Sequence, residues 1–403
     1  KDLNAFVCGE NEAGLVITNY RLPYFDNKIS NDFNYVLENQ LDYFVGHYSK
    51  EEKDTFYTYV LEHTPEFRHL PENIKGIIFD SASYTVSMMA VNKATFNIND
   101  FEGKVLADDE VNIIKRFAKV FDQAYTRFLD LQKAEAQAKE SQIQLALERV
   151  RARTMAMQKS DELQLAANLL FMQVQALGVP AFTCGYNIWE KEEKICTAWM
   201  SSADGLIQPA FKIPLTKNPT FIRFQKSRQN NEDFYVEEVK GKALAAHYKY
   251  MLTLPVFGEL MDAFIKAGFV LPLSQINHVV NFKHGNLIFI TTTSVPEAWD
   301  IFKRFALVFE QTYTRFLDLQ KAEAQAREAT IEAALERVRS SSLAMHHSTE
   351  LEQVAGSLFD RLVELGLSFD GALIFIFDKE KKNISLWIAS NQLSAPVKID
   401  LPY

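Results

Sequence analysis

The sequence predicts an α+β fold in which sheet domains are joined by long helices. One observation behind this prediction is an internal repeat: the segments that start at Arg116 and Arg304 share 28 of 36 aligned residues, at an offset of 304 − 116 = 188. The other is the order of elements within one repeat, where strand-like segments are followed by helical segments and then by a hairpin. Together they indicate one sheet domain and one helical linker in each repeat.

The repeat divides the chain into five segments. Residues 1–112 correspond to a domain without its first strands, residues 179–298 to a complete domain, and residues 367–403 to the opening strands of a third. Linker helices are predicted over residues 113–178 and 299–366. We expect the two partial domains to leave sheet edges open to strand exchange or local disorder. The chain begins with lysine rather than methionine, which predicts a longer parent protein.

Strands and helices alternate within the complete domain. Strand signals occur at residues 182–190, 194–200, 277–282 and 287–292, and helical signals at residues 219–228, 244–252 and 259–266. The last two strands are predicted to form a hairpin, with Gly285 supplying the positive φ that a tight turn needs.

The linkers contain the clearest helical signal. From Val111 to Leu177 there is no proline or glycine, and strong helix formers dominate, which predicts one continuous helix. Apolar residues recur at the alternating spacing of four and three that is typical of a coiled-coil seam. The predicted seam residues are Phe117, Phe121, Ala124, Phe128, Leu131, Ile143, Leu147, Val150 and Met157. The second run, from Ile143, is one residue out of phase with the first, which predicts a weak seam between them.

Two arrangements would bury this apolar stripe. It could pack against a second copy of the chain in a parallel homodimer, or against the chain's own domains. The homodimer is favoured because nearly identical helices follow domains of different sequence, which suggests that helices are their partners.

Composition and charge exclude several classes of protein. The formal charge of −9 offers no cationic surface for nucleic acid. No apolar run approaches the roughly 20 residues needed to cross a bilayer. The three cysteines show neither disulfide nor zinc-ligand spacing, which predicts a reducing, cytoplasmic location and no metal site.

The linker sequence LERVRARTMAMQKSDEL from Leu147 and its partner LERVRSSSLAMHHSTEL from Leu335 resemble the linkers of GAF domain arrays in bacterial sensor histidine kinases and cyclases. The resemblance implies a six-stranded antiparallel sheet flanked by helices, small-molecule sensing and signal transmission along a dimeric helix. It also implies an output domain outside this chain, with a histidine kinase as the expected one.

No catalytic motif accompanies this layout. The sequence lacks a P-loop, a GxGxxG motif and a GxSxG motif, so no enzyme activity is predicted within the chain, and no cofactor is implied. Strand alternation places Thr183 and Asn187 on one face of the first strand, where they are the candidate ligand-pocket residues, with Trp199 as a wall. The alternative is that this face is solvated and that the domains are spacers that bind nothing.

Overall fold

The computed structural model describes residues 3–11, 14–65, 70, 72–192, 194–201, 208–347, 350–378, 383–390, 393 and 396–402. The chain divides into two compact units, Lys1–Glu140 and Ser141–Tyr403. Antiparallel sheets flanked by helices make up both units, so the α+β prediction is confirmed. Within the described residues, no helix is both long enough and apolar enough to cross a membrane.

The first unit contains two small sheets. Strands β1 (Leu3–Asn11) and β2 (Gly14–Leu22) form a hairpin, and strands β3 (Phe44–Ser49), β4 (Ser83–Val91) and β5 (Ala94–Asp100) form a three-stranded sheet. Its short helices are α1 (Lys28–Glu38), α2 (Lys50–His63) and α3 (Glu72–Asp80). Helix α2 begins with a capping box, in which Ser49 and Glu52 each bond to the other's backbone N–H.

The second unit holds a complete six-stranded sheet, which we call the middle sheet. Its strands are β6 (Ala181–Trp189), β7 (Ile195–Met200), β8 (Phe211–Pro214), β9 (Phe234–Lys240), β10 (Ser274–Phe282) and β11 (Gly285–Thr291). The spatial order is β8-β7-β6-β11-β10-β9, and all neighbours are antiparallel. Helices α6 (Pro219–Gln229), α7 (Gly241–Met251) and α8 (Phe257–Lys266) lie between β8 and β10 in the chain.

Each predicted linker forms a pair of helices, a long one that ends earlier than predicted and a short one after it. They are α4 (Asp108–Met155), α5 (Leu163–Ala176), α9 (Trp299–Leu343) and α10 (Leu351–Glu364). The prediction of one continuous helix from Val111 to Leu177 is therefore wrong. The chain turns after Met155, where the Glu162 carboxylate accepts hydrogen bonds from the backbone of Gln158 and Lys159. Glu350 does the same for the His346 backbone in the second repeat, so the turn is repeated too.

The middle sheet has a hydrophobic core on each face. Helices α5 and α9 cover one face, where Tyr186 of β6 stacks on Phe309 of α9 with ring centroids 3.8 Å apart. Helices α6 and α7 cover the other face, with Phe221 and Phe224 of α6 in that core. Because β6 lies near the centre of the sheet, its alternating side chains enter both cores.

The first unit has two small sheets, whereas the middle sheet is a single sheet joined at its centre by strand β6. In the middle sheet, β6 pairs with β7 on one side and β11 on the other, so it connects the two halves. Among the described residues of the first unit, no strand occupies the corresponding place between the β1-β2 hairpin and β5. At the other end of the chain, β12 (Gly371–Asp378), β13 (Asn383–Ser390) and β14 (Val397–Pro402) form a sheet whose order matches β6-β7-β8.

Candidate functional site

A cavity of about 260 Å³ lies between the middle sheet and helices α6 to α8. Its walls are mostly apolar, and phenylalanine is the commonest lining residue. The lining phenylalanines are Phe182, Phe211, Phe221, Phe224, Phe257, Phe264 and Phe269. A concave, largely apolar space with a few polar groups is the usual form of a small-molecule site.

Two of the three predicted pocket residues line this cavity. Thr183 and Asn187 both lie on the cavity face of β6, whereas Cys184 and Tyr186 enter the opposite core. The prediction for Trp199 is wrong. Trp199 is the cross-strand partner of Tyr186, and directly paired residues of an antiparallel sheet share a face, so its side chain packs in the core beneath α5 and α9.

Asn187 is a buried amide with an incomplete set of hydrogen bonds. Its side chain is 4% exposed, and Nδ2 donates to Oδ1 of Asn286 on the adjacent strand β11 at 2.9 Å. Asn187 Oδ1 and Asn286 Nδ2 have no hydrogen-bond partner among the described residues. Buried polar groups are normally paired, so this amide pair has capacity left for a bound molecule.

Glycine at the start of β11 makes this close approach of strands possible. A Cβ atom on Gly285 would lie 1.9 Å from the Asn187 backbone carbonyl oxygen, so no larger residue fits without moving a strand. The prediction that Gly285 supplies a positive φ is wrong, because the hairpin turn consists of Lys283 and His284 and Gly285 already pairs with Ile188. The glycine is required by packing rather than by the turn.

A chain of polar side chains lines another wall. Tyr248 of α7 donates to Gln275 Oε1 at 2.8 Å, Gln275 Nε2 donates to Asn277 Oδ1 at 3.0 Å, and Asn277 Nδ2 donates to Glu237 Oε1 at 3.3 Å. Glu237 lies behind the cavity wall and also pairs with Arg223. Burial raises the pKa of Tyr248 to about 12, so its hydroxyl stays protonated at neutral pH.

His247 is the histidine among the described lining residues of the cavity. It is 8% exposed, and its Nδ1 lies 3.2 Å from Oδ1 of Asn218, the residue that caps α6. Burial, with a smaller contribution from the Arg223 charge, lowers the pKa of His247 to about 4. The sequence analysis did not identify His247 as a pocket residue. The pair Asn218-Pro219, a cap residue followed by proline at the start of a helix, is the sequence feature that could have indicated its partner.

Two of the hydroxyls at the cavity, those of Thr183 and Ser201, are already engaged with the backbone. Thr183 Oγ1 donates to the Ser201 carbonyl at 2.5 Å, and Ser201 Oγ donates to the Cys184 carbonyl at 2.9 Å. Burial raises the pKa of the Cys184 thiol, which keeps it in the unreactive protonated form. Among the described residues, no group of three or more His, Cys, Asp or Glu side chains could hold a metal ion.

The predicted dimer seam is divided between two environments. Its second run, Ile143, Leu147, Val150 and Met157, is buried against α5 and its surroundings within the same chain, so the prediction that these residues face a second copy is wrong. They are covered because the chain turns back after Met155. In the first run, Phe117, Phe121 and Phe128 are 66%, 41% and 50% exposed, and Ala124 and Leu131 are also exposed.

The equivalent residues of the second repeat show what covers such a stripe. Phe305, Phe309 and Phe316 of α9 are at most 4% exposed, because they pack on the middle sheet. The stripe of α4 has no counterpart of β6 in its own unit, among the described strands, on which to pack. The three phenylalanines of the stripe are therefore core in one repeat and surface in the other, whereas Leu131 and its counterpart Leu319 are exposed in both.

No family model matches the chain, and no curated protein matches it.

Proposed function

We propose that this chain is the non-catalytic sensory and regulatory segment of a cytoplasmic signal-transduction protein, built as an array of GAF-like domains. The observation that carries the proposal is the position of β6, which contributes Thr183 and Asn187 to the cavity and Tyr186 to the core beneath α9. A small molecule in the cavity contacts one face of this strand, and the linker helix packs on the other face.

Coupling between ligand and helix requires two arrangements that the ligand distinguishes. Occupancy of the cavity would complete the hydrogen bonds of Asn187 and fix the position of β6. Because Tyr186 stacks on Phe309, a shift of β6 changes the surface on which α9 rests. Helix α9 continues about 45 Å beyond Tyr313 to its end at Leu343, at about 1.5 Å per residue. It could thus carry a small change to an output domain outside this chain, for which a histidine kinase is the expected type.

A regulatory role is favoured over an enzymatic one by the chemistry of the cavity. The Thr183 and Ser201 hydroxyls are bonded to carbonyl oxygens rather than to a base, and the Cys184 side chain lies on the other face of the sheet. Nucleophilic catalysis needs a nucleophile within hydrogen-bond reach of a general base. The described lining residues do not include such a pair.

We also propose that two copies associate in parallel through the exposed stripe of α4. An exposed row of large aromatic side chains is a common sign of an interaction surface. The residues of this stripe are Phe117, Phe121, Ala124, Phe128 and Leu131. The alternative for the whole chain is an architectural spacer with domains that bind no ligand.

A fragment screen distinguishes a sensory segment that binds a ligand from an architectural spacer that binds none. The melting temperature of the wild-type chain is measured with a library of small aromatic molecules, beside Met200→Trp, which fills the cavity, and Met172→Trp, an exposed control on α5. A ligand at 100 times its Kd stabilises the folded state by about 2.7 kcal/mol. The proposal expects fragments that raise the melting temperature of wild type and Met172→Trp but not of Met200→Trp. If no fragment stabilises the chain, or if Met200→Trp responds equally, the cavity is not a ligand site.

Light scattering tests the dimer independently. Phe121→Glu with Phe128→Glu should dissociate it, whereas Lys119→Glu with Gln123→Glu, at exposed polar positions on the same helix, should not. Because Phe121 and Phe128 are exposed in the single chain, their replacement leaves the monomer folded. A wild-type monomer would remove the dimer from the proposal and leave the ligand site in place.

A further inference from the structure

The hydrogen-bond pattern at the cavity determines which atoms His247 offers to a ligand. Helix α6 begins at Pro219 after the cap residue Asn218, and the Thr220 backbone N–H donates to Asn218 Oδ1 at 3.0 Å. This bond identifies the capping atom as oxygen, since an amide nitrogen could not accept it. An oxygen of this kind only accepts, so the His247 Nδ1 that lies 3.2 Å from it must carry the hydrogen.

The other ring nitrogen of His247 is therefore an acceptor. A neutral imidazole holds one hydrogen, and with that hydrogen on Nδ1 the Nε2 atom carries a lone pair. Burial keeps the ring neutral across the physiological pH range. No described residue makes a hydrogen bond to Nε2, although His247 is more than nine-tenths buried and lines the cavity. His247, a lining residue of the cavity, thus offers a fixed acceptor that lacks a donor among the described residues.

Tyr248, the next residue of α7, offers an acceptor too. The Glu237 carboxylate only accepts, so Asn277 must donate to it through Nδ2. This fixes which group donates and which accepts in the other two hydrogen bonds, from Asn277 through Gln275 to Tyr248. The hydroxyl hydrogen of Tyr248 is used in its bond to Gln275. Only the lone pairs of the Tyr248 oxygen remain for a ligand.

The rest of the cavity limits the size and charge of that ligand. A 150 Å³ apolar cavity holds benzene, so a cavity of about 260 Å³ accommodates about ten non-hydrogen atoms, the size of a bicyclic aromatic. The described lining residues include no Asp, Glu, Lys or Arg side chain, so a charged ligand would be buried without a counter-ion. Aromatic walls favour a flat, aromatic ligand through stacking and edge contacts.

We infer that this cavity selects an uncharged bicyclic aromatic molecule with an N–H or O–H group that donates a hydrogen bond to Nε2 of His247. The inference rests on the proposed function, because it names the class of molecule that the sensory site takes. Selectivity arises because an analogue without the donor leaves a buried acceptor unpaired, which should weaken its binding about tenfold or more.

Calorimetric titration of the full chain with four matched probes tests this inference. Indole has the required N–H, benzothiophene has the same bicyclic shape without a donor, and indole-3-carboxylate adds a charge. Indole should bind at least about tenfold more tightly than benzothiophene, and indole-3-carboxylate should bind more weakly than indole. N-methylindole, which has lost the donor, should also bind about tenfold more weakly than indole.

Variants then assign the preference to His247. His247→Phe keeps a ring and removes both nitrogens, so the ratio of indole to benzothiophene affinity should fall to about one. Lys249→Gln, at an exposed position on α7, should keep the wild-type ratio. If His247→Phe does not fold, the wild-type comparison of indole with N-methylindole still decides.

Each outcome bears on a different claim. Equal binding of indole, benzothiophene and N-methylindole by wild type overturns the inferred donor and leaves a ligand site. Failure of all four probes, while other fragments stabilise wild type but not Met200→Trp, overturns the ligand class and leaves the proposed function. Failure of every fragment overturns both.

Discussion

Replacing Phe309 by alanine removes one of the side chains through which α9 packs on the middle sheet. Phe309 is fully buried, with its ring centroid 3.8 Å from that of Tyr186 and 5.4 Å from those of Phe282 and Tyr313. Truncation of a buried phenylalanine costs about 3–5 kcal/mol. Stacked pairs add about 0.5–1.5 kcal/mol beyond burial. We therefore expect a loss of about 4 kcal/mol in the free energy of unfolding of the second unit.

Urea unfolding followed by tryptophan emission measures this loss. All four tryptophans, at positions 189, 199, 299 and 387, lie in the second unit. Leu307→Ala is the matched control, because Leu307 is on the same helix and 56% exposed. It should change the free energy of unfolding by less than about 0.5 kcal/mol. A cost below about 1 kcal/mol for Phe309→Ala, or an equal cost for the control, would refute the assignment of this stripe to the core.

Two further predictions concern acid and a close packing contact. Burial lowers the pKa of both His247 and His278 from 6.5 to about 4, so the unfolded chain takes up protons first as the pH falls. The free energy of unfolding should decline from pH 6.5 to pH 4, by at most about 3 kcal/mol per histidine. Urea unfolding measures this decline. The prediction is contradicted if the urea midpoint of wild type falls no more steeply with pH than that of His278→Phe. Gly285→Ala should destabilise the second unit by about 1–3 kcal/mol because its Cβ meets the Asn187 carbonyl. Thermal melts measure the effect. The control is Gly76→Ala, because a Cβ atom added to Gly76 in helix α3 would lie 3.6 Å from its nearest neighbour, and it should be neutral or stabilising. Equal losses of stability in the two variants would show that the strands can separate to accept the Cβ atom of Gly285→Ala.

Local sequence signals were sufficient for much of the fold. Prolonged stretches without proline or glycine gave the linker helices, and alternation along β6 separated Thr183 and Asn187 from Cys184 and Tyr186. Such patterns work because the side-chain period of a strand or helix is a property of the backbone alone. The turn after Met155 was missed since it depends on Glu162 reaching back to the backbone, with no proline or glycine to mark it.

What packs against the apolar stripe of a linker helix could not be predicted from local sequence. The sequence of α4 and α9 is nearly the same, yet Phe309 is buried and Phe121 is 41% exposed. The difference lies in a strand that is distant in the chain, and helix periodicity carries no information about it. The polar cavity wall was missed for a similar reason. His247, Gln275 and Asn218 come from three elements, and only the tertiary fold brings them together.

We propose that a ligand bound in the cavity restrains α9 through β6. Amide hydrogen exchange tests it directly, with the chain saturated by the tightest fragment from the thermal screen. Exchange over residues 305–316 of α9 should slow on ligand binding, because fixing β6 restrains the helix stacked on it. Residues 117–128 of α4, nearly identical in sequence and in the other unit, serve as the internal reference and should not change. Unaltered exchange over residues 305–316 in a chain with bound ligand would contradict the relay.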